Sequence, residues 1–465
     1  MRRVGTVLKF RKALLAAVLA PAIMAMSSAA WAESIFDAMA KAYENNPDLN
    51  AARAGLRATD EGVTIAKAGW RPQVSGFAQW SKTRYSVKEP TTADPEFISK
   101  SVGLTVTQQI FDGFQTLNRV RAAESNVYSE RANLKASEIQ TLLSAAQSYA
   151  NIARDQEIVS IRKQNLAFLR EQVNAADSRL EVGEGTRTDV SLAQAELAQA
   201  EGALANAEFQ LKQSRAVYVQ IVGETPRAIR QAKPLTKTMP KSIDDAVAVG
   251  WREHPAVIAA MYAIDSAGFQ VKTAEGALLP GVVVQGQVAA NRGNSDFSSL
   301  NNYDSSSITA RLNVPIYQGG AEYGEIRQAK ERLGQQQIQL DSVRLEVQRT
   351  IVSAIAQFDA AKAMIEAGNV QLQAAQQALD GVLEERKVGQ ATTLDVLDYQ
   401  ARVLNAREGL ASANRDAVVA SFGAVAAMGH LTIDTVGLKV ARYEPEEHYG
   451  KVKDKWFGLR TVDGR

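Results

Sequence analysis

Cysteine is absent from all 465 residues, which excludes disulfides, thiolate metal sites, a thiol nucleophile and a lipid carried on an N-terminal cysteine. Histidine is scarce: His254, His430 and His448 lie far apart, with no HExxH pair and no phosphate-cradling P-loop around them. We therefore expect no catalytic residues, no metal and no cofactor, and read the His before Pro255 as a helix-start residue. Long apolar runs are missing as well. Beyond residue 32 no stretch offers 18 uninterrupted apolar residues, so a spanning helix is excluded and any bilayer contact must be made with strands.

A charge excess is also lacking. The formal balance of +2 comes from Arg2, Arg3, Lys9, Arg11 and Lys12. These precede an apolar run, Ala13 to Met26, and then Ala30-Trp31-Ala32, the pattern of a cleavable secretory signal over residues 1–32. Without those five, 48 basic residues face 51 acidic ones. Neither that balance nor any basic run points to nucleic acid or a polybasic membrane footprint.

The most telling absence is local. From Phe114 to Val182 there are 69 residues with neither Gly nor Pro, enough for a helical rod of roughly 100 Å. A matching run, Ala321 to Val388, also lacks Pro but contains Gly324, Gly334, Gly368 and Gly381, so it should be bent or locally frayed. The two runs belong to an internal duplication. One offset of 206 carries Ile110-Phe111-Asp112-Gly113 onto Ile316-Tyr317-Gln318-Gly319, Val182-Gly183 onto Val388-Gly389, and Asp189-Val190 onto Asp395-Val396. Pro47 and Pro72 match Pro255 and Pro280 at an offset of 208.

Each copy reads as a helix, two strands, a very long helix, a turn and a return helix. The first copy covers residues 33–222, with strands near 72–85 and 100–112 and a helical hairpin over 114–222. A linker, 223–245, leads to the second copy at 246–429, with strands near 281–290 and 306–317 and a hairpin over 321–429. A polar tail, 430–465, follows, and both it and the linker are expected outside the helices. In the return helices Val190, Leu197, Leu204, Leu211 and Tyr218 recur every seven residues beside Ala193, Ala200 and Ala207, a coiled-coil period with a small-residue seam. Val396, Val403, Leu410, Ala417 and Ala424 repeat the pattern.

In the strands one parity is apolar: Val102, Leu104, Val106 and Ile110 in the first copy, and Ile308, Ala310, Leu312, Val314 and Ile316 in the second. Trp70, Phe111 and Tyr317 are either part of an interfacial girdle or packing at the sheet-to-helix junction. Four strands are too few for a membrane barrel, whose smallest examples have about eight. An open sheet in lipid would leave its edge amides and carbonyls unsatisfied, so further copies of the chain must complete it.

Together with this layout, Asn46-Pro47-Asp48-Leu49 and VGQATTLDVLDYQ (Val388 to Gln400) resemble the TolC family of outer-membrane efflux proteins over nearly the whole chain. The resemblance implies a mixed α and β membrane protein of the Gram-negative outer membrane. It would be a homotrimer whose four transmembrane β-strands per chain contribute to a 12-stranded barrel, continuous with a coiled-coil tunnel across the periplasm. It also implies a passive channel for efflux, multidrug export or type I secretion, working with a periplasmic adaptor and an inner-membrane transporter of RND, ABC or MFS type and embedded in outer-membrane lipid. A periplasmic coiled-coil adaptor without a pore is the competing reading, but it has no use for one-sided strand pairs.

Asp395 and Asp398 lie three apart on one helical face just after the second turn. They either complement the positive helix end behind a Thr392 or Thr393 cap or, as the resemblance implies, line the periplasmic constriction as rings of carboxylates. By the same resemblance Thr188 and Asp189 belong to the closed-state network, the alternative being a plain cap. Where the family example carries its gate Arg this chain has Ala391, and where it has a Tyr this chain has Arg386; either Arg386 or Arg187 is the replacement cation. Val182-Gly183 and Val388-Gly389 are both helix C-caps and, by resemblance, adaptor-docking tips.

Overall fold

The structure, a computed structural model, describes residues 33–84, 86, 96–236, 238–240, 242–294 and 302–464. The proposed signal segment, 1–32, and Tyr85 lie outside the described residues. Two short helices open the chain, α1 (Ile35–Asn45) and α2 (Pro47–Lys67). Their junction follows from residue chemistry: Asn46 caps α2 by accepting from the Leu49 amide at 2.9 Å, and Pro47 takes the first helical position, where no N–H is needed.

Strands β1 (Gln73–Arg84) and β2 (Glu96–Phe111) follow, then α3 (Gln115–Glu181) and α4 (Arg187–Val222). The second half runs α5 (Ile243–Glu253), α6 (Pro255–Gly276), β3 (Gly281–Asn294), β4 (Asn302–Asn313), α7 (Ala321–Lys387), α8 (Thr393–Ala427) and α9 (Pro445–Val452). Helices α3 and α7 are each 67 residues long. Helix α7 is helical from end to end, so the expected fraying is not found. A propensity cost of about 1 kcal/mol per glycine is outweighed when a helix is packed along its length against α8 and α6. Helix α5 begins at Ile243, inside the stretch read as linker, with Ser242 accepting from the Asp245 amide at 3.1 Å. His254 caps α6 as expected, its Nδ1 accepting from the Ala256 amide at 3.2 Å.

The four strands form one antiparallel sheet in the order β1-β2-β3-β4. Register aligns Val74, Val106, Gly286 and Ile308 across it, and beside them Gly76, Leu104, Val288 and Ser306. The alternate row is polar: Ser75, Thr105, Gln287 and Ser307. Nearer the helices one face is therefore mainly apolar and exposed, the other hydroxyl- and amide-rich; toward the far end the apolar face carries Lys82, Lys100, Arg292 and Asp304. Among the described residues β1 and β4 are each paired on one side only.

The strands differ from expectation: β2 begins at Glu96 instead of 100, β3 runs to Asn294 instead of 290, and β4 begins at Asn302 instead of 306. A bulge between Gln109 and Phe111 sets Ile110 outside the alternation of β2. Strand β4 ends at Asn313 instead of reaching Tyr317, leaving Val314, Ile316 and Tyr317 beyond it and exposed. Its partner β3 begins at Gly281, which pairs with Asn313, so residues 314–317 have no strand to pair with, and Pro315 has no N–H to offer a ladder. Of the three aromatics singled out, Phe111 packs edge-on against Phe114 at 5.1 Å, whereas Trp70 and Tyr317 are exposed.

The main core lies midway along the helices, where Met39, Leu142, Tyr149, Tyr218, Ile351 and Phe422 are fully buried. Buried Glu33 ties its edge: the carboxylate accepts from Lys41 Nζ, the Tyr218 hydroxyl and the Arg227 amide, each at 2.9 Å. The tail is not a loose polar extension. Leu431 is buried in this core, and His448 Nδ1 sits 2.8 Å from Oδ2 of the buried Asp60.

Candidate functional site

The residues singled out from sequence gather at the far end of the two helical hairpins, where α3 turns into α4 and α7 into α8. Both turns use one device. The amide of Glu184 donates to the Arg179 carbonyl at 2.8 Å and that of Gly183 to Leu180 at 3.1 Å; in the second hairpin Gln390 donates to Glu385 at 2.9 Å and Gly389 to Arg386 at 3.2 Å. This double closure requires a left-handed residue after the helix, and Gly183 and Gly389 take φ of 79° and 78°. Val182 and Val388, the residues before them, are 71% and 70% exposed, so each tip presents a bare apolar side chain beside a glycine.

The return helices start alike. Thr186 accepts from the Asp189 amide at 3.1 Å while Asp189 Oδ2 accepts from the Thr186 hydroxyl at 2.6 Å and amide at 3.1 Å. Thr392 and Asp395 repeat this at 3.2, 2.6 and 2.8 Å. These are reciprocal capping boxes. The Thr186 hydroxyl holds the Asp189 carboxyl below its ordinary pKa, and Thr392 does the same for Asp395. The cap residues are thus Thr186 and Thr392, while Thr188 and Arg187 are exposed on the first turn of α4.

Arg386 is different: it is 6% exposed and lies between the hairpins. Its guanidinium donates to Gln172 Oε1 on α3 and to the Thr393 hydroxyl on α8 at 3.4 Å. Burial and the nearby Arg179 lower its pKa, while Asp189 opposes them. The Thr393 hydroxyl and the Arg386 charge also help hold the Asp189 carboxyl down. A hydrogen-bonded chain Gln172–Arg386–Thr393 therefore joins α3, α7 and α8, with Asp189 of α4 beside it.

The structure thus brings Asp189 and Arg386 together and leaves Arg187 outside. Asp395 is committed to its cap, and Asp398, one turn on, is exposed with no hydrogen bond or ion pair among the described residues. Gln172 and the bonding role of Thr393 were missed. The available signal was weak: Asn165 and Gln172 are seven apart on the face that otherwise holds Leu169 and Ala176.

The polar chain continues along the contact between α3 and α8. Gln400 Nε2 donates to Asn165 Oδ1 at 2.8 Å, Arg407 to Gln164 at 3.0 Å, Arg162 to Glu408 at 2.7 Å, and Arg415 to Asn151 at 2.8 Å.

With this geometry in place, the comparisons with known proteins can be read. The family described as "Outer membrane efflux protein" matches residues 38–224 and 252–430. The chain is 43% identical over 461 residues to the outer membrane efflux protein BepC of Brucella suis biovar 1, covering 99% of each. It is 25% identical over 447 residues to the outer membrane protein TolC of Vibrio cholerae, covering 93% of this chain and all of the relative. Among solved structures, the CmeC outer membrane channel of Campylobacter jejuni shares the fold with a TM-score of 0.77 at 15% identity, covering 91% of this chain and 89% of that one.

Proposed function

The chain belongs to the outer membrane efflux protein family, and from that premise we propose that it is one subunit of a homotrimeric duct through which an inner-membrane transporter and a periplasmic adaptor pass substrate to the outside. The observation that carries this reading is the sheet. Its single apolar face suits lipid, and its two unpaired edges, β1 and β4, call for neighbouring copies. Three copies would close a barrel of twelve strands with the serine, threonine and glutamine face toward an aqueous lumen. No adaptor needs such a sheet.

In the assembled duct the α3–α4 and α7–α8 hairpins form the tunnel, and their tips meet at its periplasmic end. Asp398, unengaged within the chain, would form a ring of carboxylates there; Asp395 adds charge just above it while capping α8. Rings of like charge raise the local cation concentration and exclude anions. The Gln172–Arg386–Thr393 chain, with Asp189 beside it, holds the two hairpins of one subunit together in the closed state. Val182-Gly183 and Val388-Gly389 serve as the adaptor's contact points. The transporter, not this chain, supplies the energy.

Planar-bilayer recording tests the proposal. Purified protein should conduct with a preference for cations, and Asp395→Ala with Asp398→Ala should reduce that preference without abolishing conductance. Protein that stays in solution without detergent and never conducts would refute the channel reading.

A further inference from the structure

We propose that the C-terminal loop Lys455–Arg460 is a foot that seats on an anionic phospholipid surface, the periplasmic leaflet of the outer membrane; this rests on the reading that the sheet spans that membrane. The loop is fixed beside the base of the sheet. Helix α9 lies along α2, with the Thr64 hydroxyl donating to the Val452 carbonyl at 2.7 Å and Lys67 paired to Asp454 at 2.7 Å. Arg71, two residues before β1, donates to the Lys455 carbonyl at 2.8 Å and places its guanidinium 4.9 Å from the Trp456 ring centre. The loop thus sits at the level where the chain enters the sheet, alongside the exposed Trp70.

Its own geometry turns apolar side chains outward. The Lys455 amide donates to Val452 at 2.9 Å and Lys455 Nζ to the Arg460 carbonyl at 2.7 Å, closing a tight turn. Gly458 at its apex has φ of 120°, a conformation that favours glycine. Phe457 and Leu459, on either side, are 90% and 104% exposed, and Trp456 is 63% exposed. Single exposed apolar residues are ordinary, but three within four residues, on a loop pinned by Arg71 and Lys455, form a presented surface.

The charge around that surface selects its occupant. Lys453, Lys455 and Arg460 flank the aromatics, whereas the nearest carboxylate, Asp454, is engaged by Lys67. Aromatic and leucine side chains set among lysines and arginines match the headgroup boundary of a bilayer, where rings sit among glycerol and carbonyl groups and cations meet phosphate. No polybasic run marks the site, which is an aromatic loop with a few cations, given meaning only by its place beside the sheet.

The absence of cysteine makes the test direct. Leu459→Cys, Leu312→Cys on the apolar face of the sheet and Val182→Cys at the tip each introduce a sole thiol for a fluorophore. The full protein is reconstituted in vesicles of phosphatidylethanolamine and phosphatidylglycerol, with or without phospholipid carrying a nitroxide quencher on its acyl chain. The proposal expects quenching at 312 and 459 and none at 182. In addition, Lys453→Gln with Arg460→Gln should weaken the signal at 459 roughly fivefold per charge removed, with no change at 312. Quenching at 312 with a water-exposed label at 459 overturns the foot and leaves the sheet reading intact, including the case where another protein covers the loop. Absence of quenching at 312 overturns the sheet reading itself. Leu459 makes so little contact that its replacement does not threaten folding.

Discussion

Two kinds of helix contact meet within one chain, and they are built of different materials. Inside each hairpin the seam is apolar and close: Ala193, Ala200 and Ala207 of α4 are buried facing α3, and Val396 and Val403 of α8 are buried with Leu379 and Val382 of α7. Between the hairpins, where α3 meets α8, Leu142 and Tyr149 share the main core with Val418 and Phe422 near the base, whereas toward the tips the contacts are mainly polar pairs, with Leu397 near Leu166 and Leu169. Apolar burial is non-directional, and its loss is costly. Amide and ion pairs at a half-exposed face exchange with water at small net cost. On the proposed reading each hairpin moves as a unit and the joint between them parts toward the tips, where the polar pairs lie.

The sharpest way to break that comparison is to overfill a seam. Ala193→Leu should cost about 2 kcal/mol, read as a lowered midpoint in chemical denaturation of the detergent-solubilised protein. The α3–α8 pairs should be cheaper: Asn165→Ala should cost about 1 kcal/mol, and a double-mutant cycle with Gln400→Ala should recover a coupling no larger than that. If the polar pair costs more than the seam, the distinction between fixed and separable contacts falls. Smallest are the caps. Thr186→Ala should weaken the first tip by about 1 kcal/mol, with Thr392→Ala acting the same way on the second, both read by amide hydrogen exchange in the first turn of α4 and α8. Asp189 and Asp395 have folded pKa values below the ordinary 3.8. The stability they add is therefore full above 3.8 and is lost only as pH falls through the depressed values. The difference between cap variants and the unsubstituted protein should narrow at the acid end without vanishing, because each Thr hydroxyl still accepts from the Asp amide.

Much of this architecture was legible because it follows from backbone rules. The Gly- and Pro-free run after Phe114 became α3, the alanine repeat became the buried face of α4, and the strand parity produced one apolar face. What escaped depended on tertiary context. The glycines of α7 suggested fraying because propensity counts a helix alone; at Gly324, Gly334 and Gly381 an added Cβ would meet nothing within 4 Å, so they cost only propensity in a helix packed elsewhere. The end of β4 was overlooked because the apolar alternation runs on through Val314 and Ile316, whereas the strand stops where its partner begins, at Gly281. At the tip, Asp189 and Arg386 were singled out, but the bonds from Arg386 to Gln172 and Thr393 were not, since Gln172 lies 214 positions from Arg386. The tail's anchoring through Leu431 and the His448–Asp60 contact was not legible, because both partners lie far away in the chain.

The proposal that the hairpins part at Arg386 is tested most directly by single-channel conductance of Arg386→Ala beside the unsubstituted protein in the same planar bilayer. The account predicts a several-fold larger conductance for the variant, with cation preference retained because Asp395 and Asp398 are untouched. Equal conductance in the two proteins would contradict it and make Arg386 a packing residue rather than a latch.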